Sequence, residues 1–101
     1  MYVILTSKVG QFHTEIIDRL QPVDAYDYLF YGQKKARFVI AKLLGETKIR
    51  VVEDESAIIN DVPIKFLQKF ETVDLAYNEL RHLTNFGAID TALHKVPIAE
   101  P

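Results

Sequence analysis

The sequence predicts a single α+β domain, an antiparallel or mixed sheet of five to six strands covered on one face by two C-terminal helices. Stretches rich in β-branched and aromatic residues fill the first half of the 101-residue chain. Apolar residues at helical spacing appear only after about residue 62. Apolar and charged fractions of 49% and 26% are ordinary for a globular chain. We therefore expect one domain over residues 1–101 with one core.

The first strand is predicted from the apolar run Tyr2 to Thr6, which is typical of a strand buried on both faces. Residues 12–17 alternate between two sides and predict a second strand or an extended edge segment. Residues 18–23 include Pro22 and are interpreted as a connection. The residue before a proline is biased away from helical geometry, so no helix is expected there.

A central β-meander is predicted over residues 25–54. Its three consecutive strands contain the letters AYDYLFY, ARFVIAKLL and KIRVVED, separated by turns at Gly32 and Gly45. A helix is the competing interpretation of residues 23–44, because several residues there tolerate helical structure. Gly32 and the aromatic and β-branched density favour strands.

The register of the first meander hairpin decides which side chains share a face. A four-residue turn, 32–35, would place Tyr28 opposite Val39 and Phe30 opposite Arg37. The predicted core side carries Asp27, Leu29, Tyr31, Phe38 and Ile40, and the other side carries Tyr26, Tyr28, Phe30, Arg37, Val39 and Ala41. A slip of one residue would exchange the two faces.

Two helices are predicted at about 62–70 and 73–85. Pro63 suits the first turn of the former, Thr72 suits the N-cap of the latter, and Gly87 suits its C-terminal stop. A last strand is expected over residues 89–96, with pairing beside the first strand as a plausible arrangement.

Composition excludes several classes of site. The chain has no cysteine, which excludes disulfides, thiolate metal sites and a thiol nucleophile, and permits a cytoplasmic location. No glycine-rich phosphate loop is present, and no spacing indicates a metal or another cofactor. The apolar run at the N-terminus is too short for a membrane span, so no membrane partner is expected.

The strongest candidate site is an aromatic-basic sheet face. Its predicted partner-binding residues are Tyr26, Tyr28, Phe30, Lys34, Lys35 and Arg37. Because two short helices can cover only one face of an apolar sheet, we expect a second chain to cover the other. The sequence thus predicts a non-catalytic accessory protein that contacts itself, as a homodimer, or a larger protein.

Two alternatives use other chemistry. The same aromatic and basic residues would suit single-stranded nucleic acid, with rings stacking on bases and cations on phosphates. The net charge of −2 argues weakly against this, and Lys35 and Ala36 stand where the RNA-recognition consensus needs glycine and its first aromatic residue. The other alternative is a small enzyme using His13 or His94 with a nearby carboxylate.

Overall fold

The computed structural model describes residues 1–84 and 90–98, which form an antiparallel sheet and one α-helix. The strands are β1 Tyr2–Lys8, β2 Phe12–Ile16, β3 Leu20–Phe30, β4 Gln33–Leu43, β5 Lys48–Glu53, β6 Ile59–Pro63 and β7 Thr91–Val96. A 3-10 helix, Ile64–Phe66, follows β6, and the α-helix α1, Val73–Thr84, precedes β7. The strand order is β6-β5-β2-β1-β4-β3-β7.

Two short connections force this sheet to curl. Residues 17–19 join β2 to β3, and residues 44–47 join β4 to β5, yet each pair of strands lies three positions apart in the sheet. Three strand spacings are about 14 Å in a flat sheet, close to the full reach of so few residues. The two connections also touch each other, because the Leu44 N–H donates to the Arg19 carbonyl at 2.9 Å. We call this the connection end of the sheet.

The concave face created by the curl holds half of the core. Its buried residues come from β1, β3, β4, β5 and the 3-10 helix: Val3, Leu5, Leu20, Ala41, Ile49 and Ile64. Val3 and Ala41 are fully buried although α1 packs on the opposite face. The curvature of the sheet therefore buries these side chains. In a flat sheet a second layer of helices would be needed to bury them.

The convex face is covered by α1. Thr72 caps this helix by accepting a hydrogen bond from the Leu75 N–H at 3.1 Å, and Asp74 lies in the first turn, where the helix dipole favours an acid. Ala76 and Leu80, one turn apart, are both fully buried against Ile40 and Tyr26. The predicted helix at 73–85 agrees with α1, while the predicted stop at Gly87 and the strand start at Ile89 lie outside the described residues.

The predicted helix over 62–70 is wrong. Ile59–Pro63 is instead the edge strand β6, paired with β5, and only the 3-10 helix Ile64–Phe66 follows. Pro63 has an extended ψ of 135°, as a strand residue does. An edge strand accepts a proline because the residue there need not donate a ladder hydrogen bond. Phe66, which follows this strand, is 72% exposed.

The predicted meander is also wrong beyond its first hairpin. β3 and β4 do pair, but β1 pairs over its whole length with residues 36–42 of β4 and so occupies the other edge of that strand. β5 therefore pairs with β2 and β6 instead, which makes seven strands rather than five to six in the described chain. β3 continues through Pro22, predicted as a connection, and β7 pairs with β3 rather than beside β1.

The hairpin register differs from the predicted one. The turn is the pair Tyr31 and Gly32, with φ values of 50° and 76°, so both residues are left-handed as a type I′ turn requires. Tyr28 consequently pairs with Ala36, and Arg37 pairs with Asp27. The observed partner of Tyr28 lies three residues from the predicted partner, Val39. A shift by an odd number of residues exchanges the two faces, so Tyr26 lies with Phe38 and Ile40 on the convex side.

A pair of leucines in α1 tests this packing. Leu80→Ala should lower the free energy of unfolding by about 2–5 kcal/mol, since it removes a fully buried side chain and leaves a cavity. Leu83→Ala, at a position 54% exposed in the same helix, should change it by no more than about 0.5 kcal/mol. Urea denaturation measures both, and equal losses would contradict the helix orientation.

Candidate interaction surfaces

The six residues predicted to form one binding face do not lie together. Tyr26 is 9% exposed and packs beneath α1, with its ring centroid 5.1 Å from that of Tyr77. Tyr28 and Phe30 are half-buried, while Lys34 and Lys35 are exposed at the start of β4. Arg37 lies on the concave side with Val39. The type I′ turn thus separates the buried tyrosine from the arginine expected beside it.

Arg37 instead forms a cross-strand ion pair. Its Nε and Nη2 donate to the two carboxylate oxygens of Asp27 at 2.7 and 3.2 Å, and Lys34 Nζ lies 3.6 Å from the same carboxylate. The hydrogen bonds from Arg37 lower the pKa of Asp27 and raise that of Arg37, against the opposing effect of burial. Among the described residues none accepts a bond from Nη1, so a fixed guanidinium keeps a free donor edge.

A groove of about 380 Å³ runs along the concave face next to this pair. Its apolar lining comes from Leu5, Ile16, Leu20, Ala25 and Val39. Its polar lining comes from Ser7, Thr14 and Arg37, and the Ser7 hydroxyl accepts a hydrogen bond from the Thr14 N–H at 2.9 Å. Concave apolar space with a few polar groups is the usual form of a binding site.

Sequence reasoning missed this groove because its walls come from strands that are distant in the chain. The alternating pattern of residues 12–17 indicates that Phe12, Thr14 and Ile16 lie on one side of β2. Only the curl brings that side to face Val39 and Ala25 across the concavity. Pro97 and Ile98, just after β7, line the groove as well.

Opposite charges occupy the end of the sheet where the hairpin turns lie, which we call the turn end. A basic patch is formed by Lys8, Lys34, Lys35 and Arg37, where β1 ends and β4 begins. An acidic patch is formed by Glu53, Asp54 and Glu55 at the turn between β5 and β6. A cleft of about 300 Å³ between them is lined by Lys34 and Arg37 on one side and by Asp54 on the other.

His13 bridges two carboxylates at the turn end. Its Nε2 lies 2.9 Å from Glu15 and its Nδ1 lies 3.3 Å from Asp54, both on the exposed surface. The hydrogen bond with Glu15, followed by that with Asp54, raises the pKa of His13. An imidazolium that donates from both nitrogens has no lone pair to act as a general base.

The remaining chemistry predicted from the sequence has no cluster to support it in the described part of the chain. His94 is exposed on β7, opposite Asp27 in the strand register. Residues 1–84 and 90–98 contain no group of three or more His, Cys, Asp or Glu side chains that could hold a metal ion.

In the same residues, no helix is both long and apolar enough to cross a membrane.

Comparisons with known proteins leave the family open. No protein-family model, no curated protein and no solved structure matches this chain.

The bridge at His13 can be tested by titration. Glu15→Gln should lower the pKa of His13 toward 6.5, since it removes the largest cause of the increase. A raised pKa in the folded state stabilises the protein below pH 6.5, and this contribution is lost as the pH rises through the raised value. Imidazole NMR signals measure the shift, and an unchanged pKa in the variant would contradict the bridge.

Proposed function

We propose that this protein is a non-catalytic accessory protein that binds a segment of a larger protein in its concave groove. One observation supports the proposal most strongly: an apolar groove of about 380 Å³ has Arg37 in its lining, and Asp27 holds the guanidinium of Arg37 in place. Its working compartment in this proposal is the cytoplasm, which a chain without cysteine permits.

The groove defines the chemistry of the segment it would accept. Leu5, Ile16 and Val39 offer an apolar surface for one or two aliphatic or aromatic side chains. The free Nη1 of Arg37 is suited to a carboxylate, because Asp27 holds the guanidinium plane in place before a ligand arrives. A segment with an apolar residue next to an acid therefore satisfies both parts of the groove.

A binding role is favoured over catalysis by the hydrogen bonding of His13, because both of its ring nitrogens are already bonded to carboxylates. The raised pKa of His13 and its two carboxylate partners favour the imidazolium form. Neither hydroxyl at the groove has an activating base among its hydrogen-bond partners in the described residues. Ser7 accepts from the Thr14 N–H, and the Thr14 hydroxyl donates to the Thr6 carbonyl.

The nucleic-acid alternative depended on rings and cations sharing an open surface. Tyr26 is buried beneath α1, and Arg37 lies on the opposite side of the sheet. Stacking on bases requires exposed ring faces beside the backbone-binding cations. The separation of these groups favours the protein-binding proposal.

The proposal is tested with peptides selected from a phage-displayed random library on the purified protein. Selected sequences should combine an apolar residue with a neighbouring Asp or Glu, and their amide shift changes should map to β1, β2 and β4. Val39→Trp should abolish binding, because the larger ring occupies the groove that Val39 lines.

Phe66→Ala is the matched control, since it removes an exposed aromatic ring outside the groove lining and should leave peptide binding unchanged. Circular dichroism confirms that both variants fold. Peptides that bind Val39→Trp as tightly as the unmodified protein, or that shift only residues outside the groove, would refute the proposal.

A further inference from the structure

The turn end gathers exposed apolar side chains from all three hairpins of the sheet. Val9 follows β1, Tyr31 follows β3 and Ile58 precedes β6, and these side chains are 57%, 62% and 53% exposed. In this antiparallel order the three turns lie at the same end, opposite the two connections. A partner that covered this end of the sheet would contact all three apolar side chains.

Only part of the charge around these tips is paired within the chain: Asp27 pairs with Lys34 and Arg37, and His13 pairs with Asp54. Among residues 1–84 and 90–98, no ion pair within 4.0 Å involves Lys8 or Lys35 in the basic patch, or Glu53 or Glu55 in the acidic patch. The two patches lie on the same end but on different strands, with β1 and β2 between β4 and β5. Each patch is thus open to a partner of the opposite sign.

Backbone strain occurs on the same surface. Tyr31 and Ala57 have φ values of 50° and 57°, a region that favours glycine or asparagine over residues with other side chains. The aromatic ring of Tyr31 is nevertheless exposed at the turn tip, in contact with Phe30 at 4.8 Å between ring centroids. An exposed aromatic residue in an unfavourable turn conformation points to a role for its side chain outside the monomer.

We infer that the turn end is a homodimer surface, on which the basic patch of each copy faces the acidic patch of the other across a two-fold axis. A two-fold axis applies one surface to itself, so neighbouring patches of opposite charge are self-complementary. Val9, Tyr31 and Ile58 then lie between the charged contacts, where burial of their exposed apolar surface favours association.

This inference does not rest on the proposed function, although Arg37 belongs both to the basic patch and to the groove lining. The groove extends along the concave face to Leu20 and Pro97, whereas the dimer surface is restricted to the turns and the adjoining strand ends. Val39→Trp, which fills the groove, should therefore leave the dimer intact. Failure of one proposal does not entail failure of the other.

Charge reversal tests the dimer directly. Light scattering after size-exclusion chromatography should give twice the 11.6 kDa chain mass at low salt and a lower average mass at high salt. Lys34→Glu with Lys35→Glu, and separately Asp54→Lys with Glu55→Lys, should each weaken self-association about a hundredfold, because like charges then face each other. Mixing the two variants should restore a dimer that contains one copy of each.

The mixture also verifies folding, since only folded partners can restore the complex. A matched control, Lys42→Glu with Lys65→Glu, makes the same change in net charge away from the turn end and should stay dimeric. A monomeric unmodified protein at low salt, a mixture that does not associate, or masses that grow beyond two copies would each overturn the inference. Growing masses would indicate an open, head-to-tail contact rather than a two-fold one.

Discussion

The structure depends on the two short connections at one end of the sheet. Residues 17–19 and 44–47 each join strands three positions apart, so the sheet closes toward itself where they meet. The Arg19 Nη1 donates to the Glu46 carbonyl at 3.2 Å and links the two connections, and the strained φ of 56° at Arg19 accompanies the sharp change of direction. The curl buries Leu20 and Ile49 in one cluster although their strands, β3 and β5, are not neighbours.

Because of the same two connections, the concave face, the convex face and the hairpin turns have different roles. The concave face holds one cluster of core side chains and, beside it, the open groove, and Leu5 and Leu20 belong to both. The convex face is covered by α1, whose buried residues lie at one-turn intervals from Ala76 to Thr84, and by Phe70 just before it. The hairpin turns, which are under no such closure constraint, are free to carry exposed apolar and charged side chains.

Local patterns predicted the local elements. The apolar run at β1, the capped helix α1 and the pairing of β3 with β4 all follow from neighbouring residues. Long-range pairing did not follow, because a four-residue loop around Gly45 is equally compatible with a hairpin and with the observed crossover. The predicted grouping of Tyr26 with Arg37 on one face was wrong for a related reason: Tyr31 occupies a left-handed turn position where asparagine or glycine would have indicated the type I′ turn and its register.

In this fold β1 inserts between β2 and β4, and the sheet curls so that its concave side encloses a core of its own. Backbone NOE contacts measured by NMR test it most directly. The structure requires cross-strand contacts between Val3 and Ala41 and between Leu5 and Val39, together with contacts between β2 and β5. Cross-strand contacts between β4 and β5, as in a continuous meander over residues 25–54, would contradict it.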